Sequence, residues 1–269
     1  MRGIEEGLVL SVRPPIRLCG VTSSLDLHEQ LADAARELEA EPNSQQTLER
    51  SVTIALELVP HADQAGISIV HRKGRIDTPA ASSDAVLQAD DLQYQLDEGP
   101  SLDAIWTQDI VSAADLHHDP RWPQWAPRVS SKFGFVSMLC VQLFTSTTVV
   151  GGINLYSTKT EAFDRDDIDI ATYLAAHVAV AVADSQTEDQ LRLAAVNRTA
   201  IGQAQGILME RFSIDSGRAF DLLRRVSQNS NTRLLEVATT IVSTRRVPGV
   251  PAPPSDSTDR QHSGLRTAP

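Results

Sequence analysis

Apolar residues at Leu27, Leu31, Ala34, Ala35 and Leu38 recur at the spacing of one helix face, which predicts a helix over about 25–38. A second helix, about 44–59, opens at Ser44 and carries Leu48, Val52, Ala55, Leu56 and Val59 in the same rhythm. The run AGISIVHRKGRIDTPA then predicts two short strands around a compact turn at Lys73-Gly74. Residues 84–107 return to helical spacing with a break at DEGP, and DIVSA, 109–113, is a short strand. After a loop with a short helix, FVSMLCVQLF and TVVGGINLY are rich in β-branched and aromatic residues and predict a hairpin. From about Asp166 a helix follows in which Ile168, Ala171, Ala175, Val178 and Val182 are spaced 3, 4, 3 and 4. That is the pattern of a coiled-coil seam over about two heptads, and it predicts pairing with a second chain. An antiparallel sheet with helices packed on it is an α+β domain.

The polar stretch DSQTEDQ, 184–190, interrupts the seam, and Thr187 with Gln190 fits a capping box. Either a new helix begins there or one long helix runs through with a stutter, and a nearly continuous helix is the reading preferred. Three amphipathic helices follow. The first runs to about Arg211. The second is capped by Asp215 and turns Ala219, Phe220, Leu223 and Val226 inward, and the third is capped by Asn231 and turns Leu234, Val237, Ala238 and Ile241 inward. Together they predict a three-helix, all-α bundle. The first carries Gly202 and Gly206, each costing roughly 1 kcal/mol relative to Ala in a helix interior. With Arg198 at zero, Ala200, Ile201, Ala204, Ile207 and Leu208 fall between about 180° and 300°, whereas the glycines fall near 40° and 80°. The glycines therefore open a separate face, beside Gln205, Met209 and Arg198, to close approach by another backbone.

The formal net charge of -11 conceals an asymmetry: residues 188–246 hold nine arginines against six acids, while the chain before them is strongly acidic. A basic segment on an acidic body points to a polyanion-binding module. The two cysteines, Cys19 and Cys140, make neither a disulfide framework nor a metal spacing, and they suit a reduced compartment. The apolar run LVLSV at 8–12 is too short and wrongly flanked for a signal peptide, so the expected location is the cytoplasm, with no membrane span. The expected division is an N-terminal segment with one helix (1–43), an α+β domain (44–185), a helical domain (186–246) and a disordered, proline-rich tail (247–269).

The strings YQLDEGPSLDAI, DLHHDPRWPQW, GFVSMLCVQL and GGINLYSTKTEAFDRDD resemble the GAF sensory domains of actinobacterial regulators, over about 44–185. This resemblance implies a small-molecule ligand, and Trp106, Trp122, Trp125 and Phe135 are the candidates to line its pocket, with core packing as the other reading of each. The string AIGQAQGILMERFSIDSGRAFDLLRRVSQNSNTRLLEVATTIV, 200–242, resembles an ANTAR domain, the three-helix output module of transcription antitermination regulators. The resemblance covers about 188–245. It implies a homodimer that binds paired RNA stem-loops and holds a nascent transcript in an antiterminator form, with no enzyme activity and no cofactor. Candidate RNA contacts are Arg198, Gln203, Arg211, Arg224, Arg225 and Arg233, with Gly202 and Gly206 permitting close approach. The family often has Lys where this chain has Gln205, so that phosphate contact is absent or comes from Arg198 or from Arg211, which borders the core face.

Two rival readings stand beside this one. A DNA-binding helix-turn-helix factor would use the two helices joined by SQNSN, but the third helix offers only Arg233 near its start. An enzyme would need a nucleophile, a base and an orienting group, and no such residues converge in the pattern. His117-His118 beside Asp115 and Asp119 lack a third metal ligand at helical spacing, and Cys140 sits in an apolar strand as a small core residue.

Overall fold

The structure, a computed structural model, describes residues 24–107, 109–146 and 148–248. Cys19 and the expected tail from Gly249 onward lie outside the described residues. The chain divides into two compact units, one up to Asp189 and one from Gln190.

The first unit contains α1 (Ser24–Ala40), α2 (Ser44–Leu58), β1 (Gln64–Val70), β2 (Ile76–Ala81), α3 (Asp84–Leu96), α4 (Pro100–Trp106), β3 (Ile110–Ala113), α5 (Ala126–Phe133), β4 (Ser137–Phe144), β5 (Val149–Ser157) and the start of α6 (Arg165–Phe212). The strands form one antiparallel sheet in the order β2-β1-β5-β4-β3. Successive side chains of a strand point to opposite faces. One face, with Ala65, Ile67, Ile69, Leu139, Val141, Leu143, Ile153 and Leu155, packs with buried residues of α1, α2 and α6. The opposite face, with Met138, Cys140 and Tyr156, packs with α3, α5 and Trp122. Both faces are covered, which is why β1, β4 and β5 are almost continuously buried. Helix α1 contributes Leu31, Ala34 and Leu38 to the first of these cores, so it completes this unit and is not a separate N-terminal segment.

Two expectations for α6 meet the structure differently. The helix is continuous from Arg165 to Phe212, and Thr187 donates its hydroxyl back to the Ala183 carbonyl at 2.9 Å instead of capping a new helix. The expected seam is a correction. Ala171, Ala175, Val178 and Val182 are buried against the sheet of their own unit, with Ile168 packed at the margin, and none of the five is left for a second chain. A 3-4 spacing reports that a stripe is buried but not what covers it; here the cover is a sheet. Among the described residues α6 alone is long and apolar enough to cross a membrane, and this same sheet-facing stripe accounts for much of that apolar content. The first unit ends where Asp189 accepts hydrogen bonds from the backbone N–H and hydroxyl of Ser44, at 3.0 and 2.6 Å.

The second unit comprises the remainder of α6, α7 (Ser216–Ser230) and α8 (Leu234–Thr244). Ala204, Leu208, Ala219, Leu223, Val237, Ala238 and Ile241 form its core. Asp215 caps α7 as expected, accepting from Arg218 N at 2.8 Å. Three expectations are corrected. Asn231 does not cap α8; it ends α7 in the left-handed region, and α8 begins at Arg233 with no side-chain cap. Phe220 stands on the exposed side of α7, outside the core that holds Ala219 and Leu223. Val247, placed in the tail by composition, is buried in the same core.

The buried stripe of α6 makes a direct test. Val178→Glu places an unpaired carboxylate in the sheet core and is expected to destabilise the first unit by about 3 kcal/mol or more. Val180→Glu, at an exposed position, is expected to change stability by no more than about 0.5 kcal/mol. Thermal melts of both variants, with mass by light scattering, separate a core position from a chain-chain seam.

Candidate functional site

On α6, Arg198, Gly202 and Gly206 follow one another at four-residue steps and form an exposed stripe. The bundle's own core uses the other side of the helix, through Ala204 and Leu208. A Cβ built on either glycine meets nothing within 4 Å. The propensity cost of about 1 kcal/mol per glycine is therefore not offset by packing among the described residues, and the bare backbone is open to another molecule. Gln203 is exposed on the adjoining turn. Gln205, which stands where the family often has Lys, donates to the carbonyl and hydroxyl of Ser216 at 3.2 and 3.3 Å and so fastens the first residue of α7 to α6.

The candidate arginines separate by environment. Arg211 donates to the Arg245 carbonyl at 2.7 Å, satisfying the C-terminal end of α8, and its guanidinium lies 5.7 Å from the Phe212 ring centroid. This contact gives Arg211 a structural role at the end of α8, beside the expected one as a stand-in for a lysine at position 205. Arg224 pairs with Asp221 at 3.0 Å with both side chains exposed, a surface pair worth at most about 1 kcal/mol. A polyanion can displace such a partner. Arg225 shares the outer side of α7 with Arg224 and is exposed. Arg233 is exposed at the uncapped start of α8, where unsatisfied N–H groups and the helix dipole also favour an anion.

In the first unit the indoles do not line a pocket. Trp122 and Trp125 are buried and meet edge to face at 6.3 Å; their N–H groups donate to Asp103 and to the Ala89 carbonyl, each at 2.9 Å. Phe135 is buried against Tyr156 at 4.7 Å, whereas Trp106 is 54% exposed. The four therefore do not converge on one cavity: three are core and the fourth is on the surface.

A buried polar cluster takes their place on the same side of the sheet. Asp90 on α3 is fully buried and accepts from Tyr156, from Thr78 at 2.9 Å, from Asn154 at 3.1 and 3.2 Å, and from Gln93 at 3.2 Å. Tyr94 joins it through Ser68 at 2.6 Å and Thr78 at 2.7 Å. Gly99 is obligatory beside it: its φ is +154°, and a Cβ there would lie 2.2 Å from Gln93 Oε1, which accepts from Ser101 N at 2.8 Å. Asn154 Oδ1 is buried with no partner among the described residues. Outside the cluster, Arg75, Asp77, Thr78, Leu87, Asp91 and Tyr94 line an open groove of about 370 Å³.

Other reactive-looking groups have structural roles. Asp115 accepts from His117 N at 2.9 Å and pairs with His118 at 2.7 Å, which closes a turn and holds the Asp115 carboxyl below its ordinary range. His61, Asp164 and Asp167 bring ligand atoms within 4.8 Å of one another, a grouping that spacing could not show. Asp164 and Asp167 each accept the other's N–H at 3.0 Å, and Asp167 also holds His61 at 2.7 Å, so the three cap the start of α6. Burial pushes the Cys140 thiol well above its ordinary value, which suits a core residue and not a nucleophile.

Burial pushes Asp90 up to about 6 against the four donors that favour its charged form. A carboxyl raised in the folded state gives stability that is full below its unfolded value of 3.8 and is lost as pH rises through about 6. Acidifying from pH 7.5 to 5 is therefore expected to stabilise the first unit through this group by on the order of 1 kcal/mol. Asp90→Asn removes the titration, so the difference between wild-type and variant melting curves across this range measures it.

An ANTAR domain model matches residues 189–242, and a GAF domain model matches residues 41–183. Among solved structures, the chain is similar to the GAF domain of a phosphoenolpyruvate-protein phosphotransferase from Coxiella burnetii, with 17% identity and a TM-score of 0.50, covering 62% of this chain and 98% of that one. It is also similar to the corresponding GAF domain from Acinetobacter (15% identity, TM-score 0.49, covering 61% and 96%). A third is a free methionine-R-sulfoxide reductase from Neisseria meningitidis (14%, 0.48, covering 61% and 92%). At these identities the likeness concerns the fold, and the first supports the helix-covered antiparallel sheet described above. No curated protein gives a significant match. The GAF match spans more than half of the chain and the ANTAR match most of the second unit: the chain belongs to the GAF family and carries an ANTAR domain, the architecture of a signal-responsive regulator.

Proposed function

We propose that this chain is a cytoplasmic transcription antitermination regulator that acts by binding, without catalysis. Its ANTAR domain, as a homodimer, engages paired hairpin loops of nascent RNA under control of the GAF domain. The observation that carries this reading is the open stripe of Arg198, Gly202 and Gly206, which the bundle's own packing does not require. RNA loops offer unstacked bases to an amide such as that of Gln203, and the exposed arginines hold the phosphates. Duplex DNA is served poorly: beyond Arg233, the exposed residues of α8 are Glu236, Thr239, Thr240, Ser243 and Thr244, and these hydroxyls bond to carbonyls of their own helix.

The dimer needs a surface other than the sheet-facing stripe of α6. Leu193 and Val196, three residues apart on one face of α6 and both more than 60% exposed, supply one. The GAF domain shares α6 with the output bundle, so that helix is the covalent route for control. Its small-molecule surface is the groove beside Thr78 and Tyr94, which leads to the Asp90 cluster.

Gel shifts of the full chain with a hairpin-RNA library and with duplex DNA test the reading. If Arg198, Arg224, Arg225 and Arg233 touch phosphates, the log-log salt slope is expected near -3 per protomer, at about 0.7 per single-strand contact. Arg224→Ala should flatten it by about 0.7, whereas Arg211→Ala should leave it unchanged. Gly206→Leu should abolish binding with melting unchanged or raised, since the substitution gains up to about 1 kcal/mol of helix propensity. Salt-independent binding, or equal preference for duplex DNA, would contradict the proposal. Leu193→Glu with Val196→Glu is expected to give monomers by light scattering; an unchanged mass would place the dimer contact elsewhere.

A further inference from the structure

Phe220 is 38% exposed although its neighbours Ala219 and Leu223 are fully buried. Its ring stands outside the buried core cluster, and its exposed part forgoes the gain that burial of an apolar surface brings. Along α7 it lies four residues after Ser216 and four before Arg224, so the three share one stripe. Gly217, at the three-residue step, has no side chain to cover the ring. Ser216 is also where α7 is fastened to Gln205, and Gln205 is two turns along the same side of α6 from Arg198. A partly exposed aromatic ring thus stands one helical turn from the Arg224 guanidinium, which is tied only by an exposed pair with Asp221.

The chemistry of that surface selects its occupant. An apolar protein partner would bury the ring at the cost of desolvating the arginines beside it. An unpaired nucleobase brings an apolar π-face and, one bond chain away, a phosphate, which are the two things this surface lacks. We propose that Phe220 is the stacking platform for one unpaired base of the bound RNA loop, with Arg224 and Arg198 on the flanking phosphates. The inference rests on the RNA-binding reading above and adds to it a residue that positions the loop by stacking instead of by charge.

The test uses the full chain and a hairpin RNA selected from a randomised-loop library on the wild-type protein, with 2-aminopurine replacing each loop purine in turn. Wild type is expected to quench the fluorescence at one loop position. Phe220→Leu, which keeps apolar bulk without a π-face, is expected to lose that quench and to bind about 10- to 100-fold more weakly with an unchanged salt slope. Phe220→Trp should retain both quench and affinity. Arg224→Ala should show the opposite pattern, a flatter slope with the quench intact. Circular dichroism melts control for folding, and ultraviolet crosslinking of the unaltered protein, with the adduct mapped to Phe220 by mass spectrometry, reads the same contact without any substitution. Phe220→Leu binding within twofold of wild type, crosslinks confined to other residues, or a changed oligomeric state with RNA affinity intact would each overturn the stacking role. If wild type selects no hairpin at all, the RNA reading itself falls; if it does and Phe220→Leu is silent, only the stacking falls.

Discussion

Helix α6 must bury two different sets of side chains, and most of the architecture depends on how it does so. In the first unit Ala171, Leu174, Ala175, Val178, Ala179 and Val182 pack on the sheet. In the second, Ala204 and Leu208 are the helix's fully buried contribution to the three-helix core. Residues 191–196, including Leu191, Leu193 and Val196, are exposed. The alanines and valines of this stripe share one core with β1, β4 and β5, and α1 and α2 fill the rest of that face. Helical stability in proteins comes mainly from such packed faces and little from propensity. A helix of 48 residues held by two cores can therefore afford glycines at 202 and 206.

The other face of the sheet is organised by Asp90. A fully buried carboxylate is costly unless every lone pair is served, and here four side chains from β2, α3 and β5 donate to it. The cluster thereby ties α3 to three strands and fixes the floor of the groove that opens beside Thr78 and Tyr94. The indoles Trp122 and Trp125 pack the same side under α5. This side of the sheet thus has an apolar half and a polar, ionisable half, and the polar half borders the open groove.

Much of this was legible because it is local. Lys73-Gly74 closes the β1–β2 turn with both residues at positive φ, and DEGP separates α3 from α4 with Asp97 left-handed. The β4–β5 hairpin and the exposed glycines of α6 also follow from short-range pattern. The features that local pattern does not reveal depend on partners distant in the chain. The seam spacing of Ile168 to Val182 could not tell a sheet from a second helix. Phe220 is adjacent to a buried stripe without joining it, and the environment of Arg211 is set by Arg245, 34 residues on. The Asp90 cluster draws on Ser68, Thr78, Asn154 and Tyr156, whose convergence no local period encodes.

The proposed contact of RNA with the exposed arginine and glycine face of the second unit has a direct test. Ultraviolet crosslinking in living cells, followed by stringent purification of the full chain and sequencing of the attached nucleic acid, addresses it with no assumption about the target. The result expected is recovery of transcript segments that fold into neighbouring stem-loops, with crosslinked peptides falling between Arg198 and Arg233. Recovery of genomic DNA in place of RNA, or of RNA without shared hairpins, would contradict it.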